Sequence, residues 1–483
     1  MAVTVADRPR IHLTPATGWM NDPHGLTVHQ GRLHVFYQAE PNAPRWGRMS
    51  WGHASSADFL RWDHLPIAIA PDDGTADAFG CWSGCFVRDR TGRPTVFYTG
   101  VSKRRGMRHA AICMATSDPN LATWVKSAAP PIIPGAPPGF QPDMFRDPFV
   151  WQDEGDWAMI VGAGTTRGRG AVLLYRSDDL RDWRYAGPFL TTEGLVESCP
   201  DLDVAEIDGP CWECPQLIQV GSHALLILSI VDRSPVVRPA HVVAVTGRVA
   251  EGRFIPERAE RLGLGPDFYA PSTCRLPDGN HLLFGWIPED PPRRGETRSW
   301  AGSLTLPRVV SLDAEGRPVI TLAAETERLG HRIATWADIV VTDSEPFTIV
   351  PDNGHAEVRL RIAPDRAAPI RIDIRAVGRL AAEIRFDPRS RRLTVARIER
   401  VTVAGRDPSG TTALPPSTTD ALELRIILDG SILEVVAMDR VTATVRLPAV
   451  GSGARQLSLT TFGGSCRVTS AELFSIESEP DPG

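Results

Sequence analysis

The stretch Gly18-Trp19-Met20-Asn21-Asp22-Pro23-His24-Gly25 decides how the chain is read. A carboxylate stands beside an amide, with an aromatic residue before the pair and Pro and Gly after it. Pro and Gly stop a helix or a central strand from running on, which leaves Asp22 at a strand end, aimed at a cavity. Alone, Asp-Pro after a polar residue reads as a plain turn. Recurrence overturns that reading. Cys81-Trp82-Ser83-Gly84, Phe145-Arg146-Asp147-Pro148, Trp212-Glu213-Cys214-Pro215 and Phe268-Tyr269-Ala270-Pro271 repeat its character. With Asp22, Ser83, Asp147, Glu213 and Ala270 taken as equivalents, the gaps are 61, 64, 66 and 57 residues. Trp62, Trp124 and Trp183, each closing a Ser-x-Asp-like stretch or its relative, follow at gaps of 62 and 59. This period, filled with short alternating strands, predicts propeller blades, and five starts predict five of them. Equivalent blade strands meet at a central channel, so Asp22, Asp147 and Glu213 are expected to converge.

A chain of 483 residues exceeds one compact core, and two domains are expected. Its net charge of -6 argues against a nucleic-acid or anionic-membrane partner. No run of 18 apolar residues predicts a membrane span. Met1–Arg10 lacks the apolar core of a signal peptide, so a cytoplasmic address is expected if the numbered sequence is the whole translated chain. The eight cysteines read as free thiols. Cys211 and Cys214 have CxxC spacing and Cys81 and Cys85 CxxxC spacing. No nearby His completes a ligand set, so the pairs are read as small core fillers, with no metal and no cofactor.

The expected fold class is all-β: an N-terminal five-bladed β-propeller over 1–322, a linker over 323–334 and a C-terminal β-sandwich over 335–483. Residues 1–17 are read as an irregular lead-in. Blade strands are expected at Arg32–Gln38, Thr95–Thr99, Trp157–Gly164 and Ala224–Leu228. The Pro- and Gly-rich run 130–142 is read as a long connection over the mouth of a site. Gly162–Gly170 lacks GxGxxG spacing and precedes a strand, so it is read as a hairpin instead of a phosphate loop. Ala323–Leu329 predicts a linker helix. Beyond it, Glu357–Ile362 alternates apolar and polar residues, and Leu424–Val436 reads as a hairpin turning at Asp429-Gly430.

Three acids on one channel fit a cation cage, a solvated ring or a glycosidase site. A calcium loop needs closely spaced Asp and Asn ligands, which are missing. Two carboxyls about 5–5.5 Å apart can cleave a glycoside with retention, one as nucleophile and one as acid/base. An unperturbed Glu, with pKa about 4.3, is protonated only about 0.2% of the time at pH 7; raised to about 6, it reaches about 10%. Glu213, between Trp212 and Cys214-Pro215, has the most apolar sequence setting and is read as acid/base. Asp22 beside the Asn21 amide is read as nucleophile. Asp147, kept charged by Arg146, is read as stabiliser.

GWMNDPHG, FRDP and WECP, in this order, resemble the signature motifs of glycoside hydrolase family 32, the invertase, levanase and inulinase group. The likeness extends to Phe36-Tyr37-Gln38, Met49–Ala54, Trp82-Ser83-Gly84, Asp267–Pro271 and Leu304–Arg308, and to the C-terminal module. The resemblance implies a propeller plus sandwich and retaining hydrolysis of terminal β-fructofuranosides, with sucrose or a short fructan as a small carbohydrate partner. It implies Asp22 as nucleophile, Asp147 as transition-state stabiliser and Glu213 as acid/base. Asn21, Gln38, Trp46, Trp82, Ser83, Arg146, Tyr269 and Trp286 match positions lining the fructose pocket; for the Trp residues, propeller core is the alternative. His24, Ala39-Glu40 and Arg48 depart from the family pattern and are expected near the mouth, where they bear on the leaving group. Arg48 suits a phosphorylated sugar or is a solvated surface charge. A fructosyltransferase of the same fold and a non-catalytic sugar-binding propeller are the alternative functions.

Overall fold

The computed structural model describes residues 8–104, 106–232, 239–289, 298–351, 354–365, 368–398, 409–414, 421–448 and 455–477. The first seven residues of the lead-in lie outside them. The chain is all-β: seven sheets, with one seven-residue α-helix, Thr192–Ser198, among the described residues. Five sheets of antiparallel strands fill residues 18–322 in succession, spanning 18–69, 80–126, 140–191, 212–261 and 269–322. Each begins with one strand of a common kind: Gly18–His29, Gly80–Arg88, Phe140–Asp153, Trp212–Val220 and Tyr269–Arg275. Each first strand lies against the first strand of the next sheet, and the fifth lies against the first. The circuit is also tied by hydrogen bonds, because Trp300–Ala301 adds to the first sheet parallel to Gly18-Trp19. A strand from the end of the circuit thus covers an edge at its beginning.

The recurring motifs are kinks in these first strands. Pairing slips between Met20 and Pro23, at Ser83 between Trp82 and Gly84, and between Glu213 and Gln216. It slips again between Tyr269 and Ser272, and opposite Arg146–Phe149. A bulge re-aims a side chain and ends regular pairing, so each sheet turns its kink residue toward the shared centre. Asp147, Cys214 and Ala270 have φ of 63°, 47° and 46°. The sequence equivalence is therefore one residue out in the fourth sheet, where Cys214 occupies the kink and Glu213 stands one step before it, level with Arg146 and Tyr269. Gly84 has no freedom to be anything larger: a Cβ there would sit 1.8 Å from the carbonyl oxygen of Phe97.

The expected strands lie within Arg32–Glu40, Pro94–Arg104, Asp156–Thr165 and His223–Val231, and Thr165 and Gly170 bound a hairpin as read. The expected linker helix is a five-residue 3₁₀ segment, Ala324–Arg328, whose N-cap Ala323 offers no side-chain acceptor. The C-terminal part is a six- and a seven-stranded sheet. Val358, Leu360 and Ile362 alternate inward and pack with Ile372, Ile374, Ile384, Leu457 and Leu459 of the other sheet. Each such burial contributes about 1.5–3 kcal/mol. Leu422–Asp429 and Ile432–Ala437 form the predicted hairpin.

The N-terminal segment, the fifth sheet and the C-terminal part share one buried polar cluster. Asp429 accepts the backbone N–H groups of Arg10 at 2.8 Å, Ile11 at 3.0 Å and His12 at 3.2 Å. It also meets Nδ1 of His12 and of His355, each at 2.7 Å. Glu434 pairs with Arg308 at 3.1 Å and lies 3.6 Å from His12 Nε2.

Candidate active site

The kinks bring three acids together. Oδ2 of Asp22 accepts hydrogen bonds from Gln38 Nε2 at 3.0 Å and Ser83 Oγ at 3.1 Å. Gln38 also donates to Ser83 at 2.7 Å, closing a triangle drawn from two sheets. Oδ2 of Asp147 accepts the backbone N–H of Cys214 at 2.9 Å. The Cys214 thiol lies 3.6 Å from that same oxygen and 3.9 Å from Oδ2 of Asp22, so it stands between the two aspartates. Glu213 precedes it in the chain. Its Oε1 accepts from Arg146 Nη1 at 2.9 Å and its Oε2 from the Tyr269 hydroxyl at 2.9 Å.

Adjacency in sequence misassigned one partner here. Arg146 was expected to hold its neighbour Asp147 charged, but its guanidinium pairs with Glu213. The reason is geometric: successive residues of a strand point to opposite sides, and the positive φ at Asp147 turns its carboxyl away from Arg146. Glu213 is also not the most enclosed acid. Its side chain keeps 16% of its exposure, whereas Asp22 and Asp147 keep 9% and 5% as whole residues.

Charge balance sets the electrostatics. Arg146 is the one cation making an ion pair with the three acids among the described residues. Burial first, and then the Glu213 charge, push Asp22 up to about 6, against hydrogen bonds from Asn21 and Ser83. Burial and Glu213 also raise Asp147, opposed by Arg146 and the Cys214 N–H. Burial, then Asp147 and Asp22, keep the Cys214 sulfur a protonated thiol, and burial, then Glu213, keep Tyr269 a phenol. Both are therefore donors here.

The aromatic residues frame this cluster. The Arg146 guanidinium lies 4.9 Å over Trp82, and Trp46 meets Trp82 edge-on at 5.9 Å. Trp46 is 43% exposed and marks the solvent side, while Trp82 and Trp286 are buried. Trp286 stands edge-on to Tyr269 at 6.5 Å and to Trp19 at 5.9 Å. Trp19 donates to Asn21 Oδ1 at 2.7 Å, fixing that amide. All eleven predicted residues fall on this cluster or its aromatic frame.

Three contributors were missed. Thr99 Oγ1 accepts the Asp147 N–H at 2.7 Å and donates to the Ser83 carbonyl at 3.1 Å, pinning two kinks together. Trp19 positions Asn21. Cys214 packs in the core as read, and its thiol also stands beside both aspartates; its place directly after Glu213 in a repeated motif was the available signal. Among the described residues no group of three or more His, Cys, Asp or Glu side chains is arranged to hold a metal ion.

The departures from the family pattern also find their places. His24 is not at the mouth. It is buried beneath it, 4.0 Å from the Trp51 ring, and burial lowers it to about 3, so it is neutral. Glu40 accepts the N–H groups of Asn42 at 3.1 Å and Arg48 at 3.0 Å. The Arg48 guanidinium is held by Asp73 at 2.6 Å and the Ala78 carbonyl at 2.9 Å. These two residues shape the 40–49 loop.

Comparison with known proteins agrees with this arrangement. The profile of the glycosyl hydrolases family 32 N-terminal domain matches residues 12–321, and that of the family 32 C-terminal domain matches 325–475. The chain is 32% identical to a sucrose-6-phosphate hydrolase of Zymomonas mobilis over 446 residues, covering 89% of this chain and 84% of that protein. It is 32% identical to a raffinose invertase of Escherichia coli, covering 97% and 95%. In fold it is similar to a β-fructofuranosidase of Bombyx mori, with a TM-score of 0.79, 24% identity and coverage of 99% and 96%. The chain belongs to glycosyl hydrolase family 32.

Proposed function

We propose that the five sheets of residues 1–322 are the blades of a five-bladed propeller, joined through 323–334 to a β-sandwich over 335–483. The cluster at its centre then releases terminal β-D-fructofuranosyl residues from sucrose or short β-fructans with retention. The relatives named for raffinose, sucrose 6-phosphate and levan support a fructosyl substrate. The observation that carries the reading is the convergence of Asp22 and Asp147, from the first and third sheets, on the thiol of Cys214, the residue that follows Glu213 in the fourth.

In this reading an Asp22 oxygen attacks the anomeric carbon of the fructosyl ring. The bond from that carbon to the leaving oxygen breaks, and Glu213 delivers a proton to that oxygen. Water then enters, gives a proton to Glu213 and displaces Asp22, restoring both acids. The Gln38 and Ser83 hydrogen bonds select which Asp22 oxygen is free to attack. Asp147, held by Thr99 and Cys214, takes ring hydroxyls as charge develops. Arg146 and Tyr269 hold Glu213 until the leaving group displaces them.

Proton NMR of the first-formed product tests this. Sucrose is expected to give β-fructofuranose before mutarotation; α-fructofuranose as the first product would contradict it.

A further inference from the structure

The C-terminal part reaches the acid cluster through a buried arginine. Its strand Val441–Arg446 lies against the loop that leads into Tyr269–Arg275. There the Leu264 N–H donates to the Thr442 carbonyl at 2.7 Å, and the Thr444 N–H to that of Leu264 at 3.0 Å. At the strand's end Arg446 is buried, and its partners adjoin residues of the site. Its backbone N–H donates to Asp267 Oδ2 at 2.7 Å, two positions before Tyr269. Its guanidinium donates to the carbonyls of Ile287 at 3.2 Å and Pro288 at 3.5 Å, which follow Trp286 in the chain. It also meets Ser303 Oγ and Glu289 Oε2, each at 3.3 Å, and Ser431 Oγ of its own part at 3.0 Å. Both ends of this web lead inward. The Tyr269 hydroxyl donates to Glu213, and Trp286 stands edge-on to Tyr269 and Trp19. Glu289 Oε2 also accepts the Gly302 N–H at 3.2 Å. Gly302 abuts Met20, where the kink that aims Asp22 begins: a Cβ on it would sit 1.9 Å from the Met20 carbonyl oxygen.

A buried guanidinium is a poor route to stability, because well-packed apolar side chains in its place do as well or better. What its rigid, planar donor fork supplies is geometry. We propose that Arg446 is a positioning residue for the reaction: from the C-terminal part it fixes Tyr269 and Trp286, and through Tyr269 it sets where Glu213 meets the leaving oxygen. The C-terminal part is then a component of the active site and not only a neighbour of it. This rests on the fructosidase reading, in which Glu213 is the acid.

The test uses the full chain and two variants. Arg446→Lys keeps the charge and loses the fork; Arg440→Gln breaks the ion pair with Asp313 at the other end of the same strand. Each is assayed on sucrose and on an activated fructoside whose leaving group needs no proton. In Arg446→Lys the ratio of kcat/KM on sucrose to kcat/KM on the activated fructoside should fall by about 10- to 100-fold, because proton delivery is misplaced. Arg440→Gln should lower the unfolding midpoint and leave that ratio at the wild-type value. An unchanged ratio in Arg446→Lys would overturn the proposal. So would an equal fall in Arg440→Gln, since any loosening of the joint would then suffice. Amide hydrogen exchange read by mass spectrometry adds an arm independent of catalysis. Residues 269–275 should exchange about 10-fold faster in Arg446→Lys and at the wild-type rate in Arg440→Gln. Faster exchange confined to residues 286–289, which Arg446 touches, would also overturn it. If exchange spreads as expected but the wild type cleaves neither fructoside, the link stands and the fructosidase reading is what fails. Should Arg446→Lys not fold, Asp267→Asn probes the same link from its other end, with the same two shifts expected.

Discussion

Two clusters of buried carboxylates lie in this molecule, and they titrate in opposite directions. Around Asp429 and Glu434, where the N-terminal segment meets the C-terminal sheets, partners are abundant. Burial alone would raise Asp429, but hydrogen bonds from His12 and His355 pull it well below the usual carboxylate range. Arg308, and then His12, do the same for Glu434 against burial. His12, although wholly buried, is raised by these two acids. Around Asp22, Asp147 and Glu213 one guanidinium serves three acids, and burial leaves Asp22 and Asp147 raised. Burial thus gives opposite outcomes, decided by the count of donors and cations. The saturated cluster is a structural joint. The unsaturated one is costly to keep and chemically ready, because its charge waits for a substrate.

The comparison can be broken most sharply at Asp22. Replacement by Asn should lower kcat by about 10⁴-fold or more, since an amide is no nucleophile. Glu213→Gln should cost about 10²–10⁴-fold, most with poor leaving groups. Steady-state assays on sucrose and on an activated fructoside check both.

At the other cluster the same chemical change should act on stability. Asp429→Asn leaves His12 and His355 without their acceptor and should cost about 3–5 kcal/mol in urea unfolding. Its pH dependence has two sides. The folded-state value of Asp429 is depressed, so its contribution is present above the ordinary carboxyl value and lost as pH falls. That of His12 is raised, so its contribution is present below about 6.5 and lost as pH climbs through the raised value.

Asp22→Asn should move stability the other way. Between 3.8 and about 6 the folded wild type binds more protons at Asp22 than the unfolded chain, so wild-type stability falls as pH rises through that window. Removing the charge should stabilise the protein by roughly 1–3 kcal/mol at pH 8 and by little at pH 4. Thermal unfolding of both proteins at the two pH values measures this.

The smallest effect belongs to Ser83. With Asp22 needed as its anion, kcat/KM should fall as pH drops through about 6. Ser83→Ala removes one hydrogen bond to that anion, so the acidic limb should move upward by about one pH unit. A pH–rate profile of the two proteins reads the shift.

Much of this was legible in the letters. The repeated Asp-Pro-like kinks marked both the sheets and the acid cluster, because a bulge that ends strand pairing also aims a side chain. The alternation in Glu357–Ile362 sufficed to place one face of the C-terminal core. What the letters hid was partnership across sheets. Arg146 beside Asp147 looked like a pair, yet the pleat and the kink separate them and bring Glu213, 67 positions away, to the guanidinium. His24 looked like a mouth residue because it lies two steps from Asp22, but the chain has by then passed the kink and points it into Trp51. Thr99 carried no motif that singled it out, and the motif that holds Cys214 drew the eye to Glu213 instead. Their roles come from where neighbouring first strands meet, and no single strand's pattern contains that.

The central claim is that Asp22 becomes covalently fructosylated while Glu213 supplies the proton. It is tested most directly by soaking the Glu213→Gln protein with a fructoside whose leaving group needs no proton, then mapping peptides by mass spectrometry. The account predicts one added fructosyl unit on the peptide containing Asp22 and none in the Asp22→Asn control. An adduct on another residue, or turnover with no adduct and an inverted product, would contradict it.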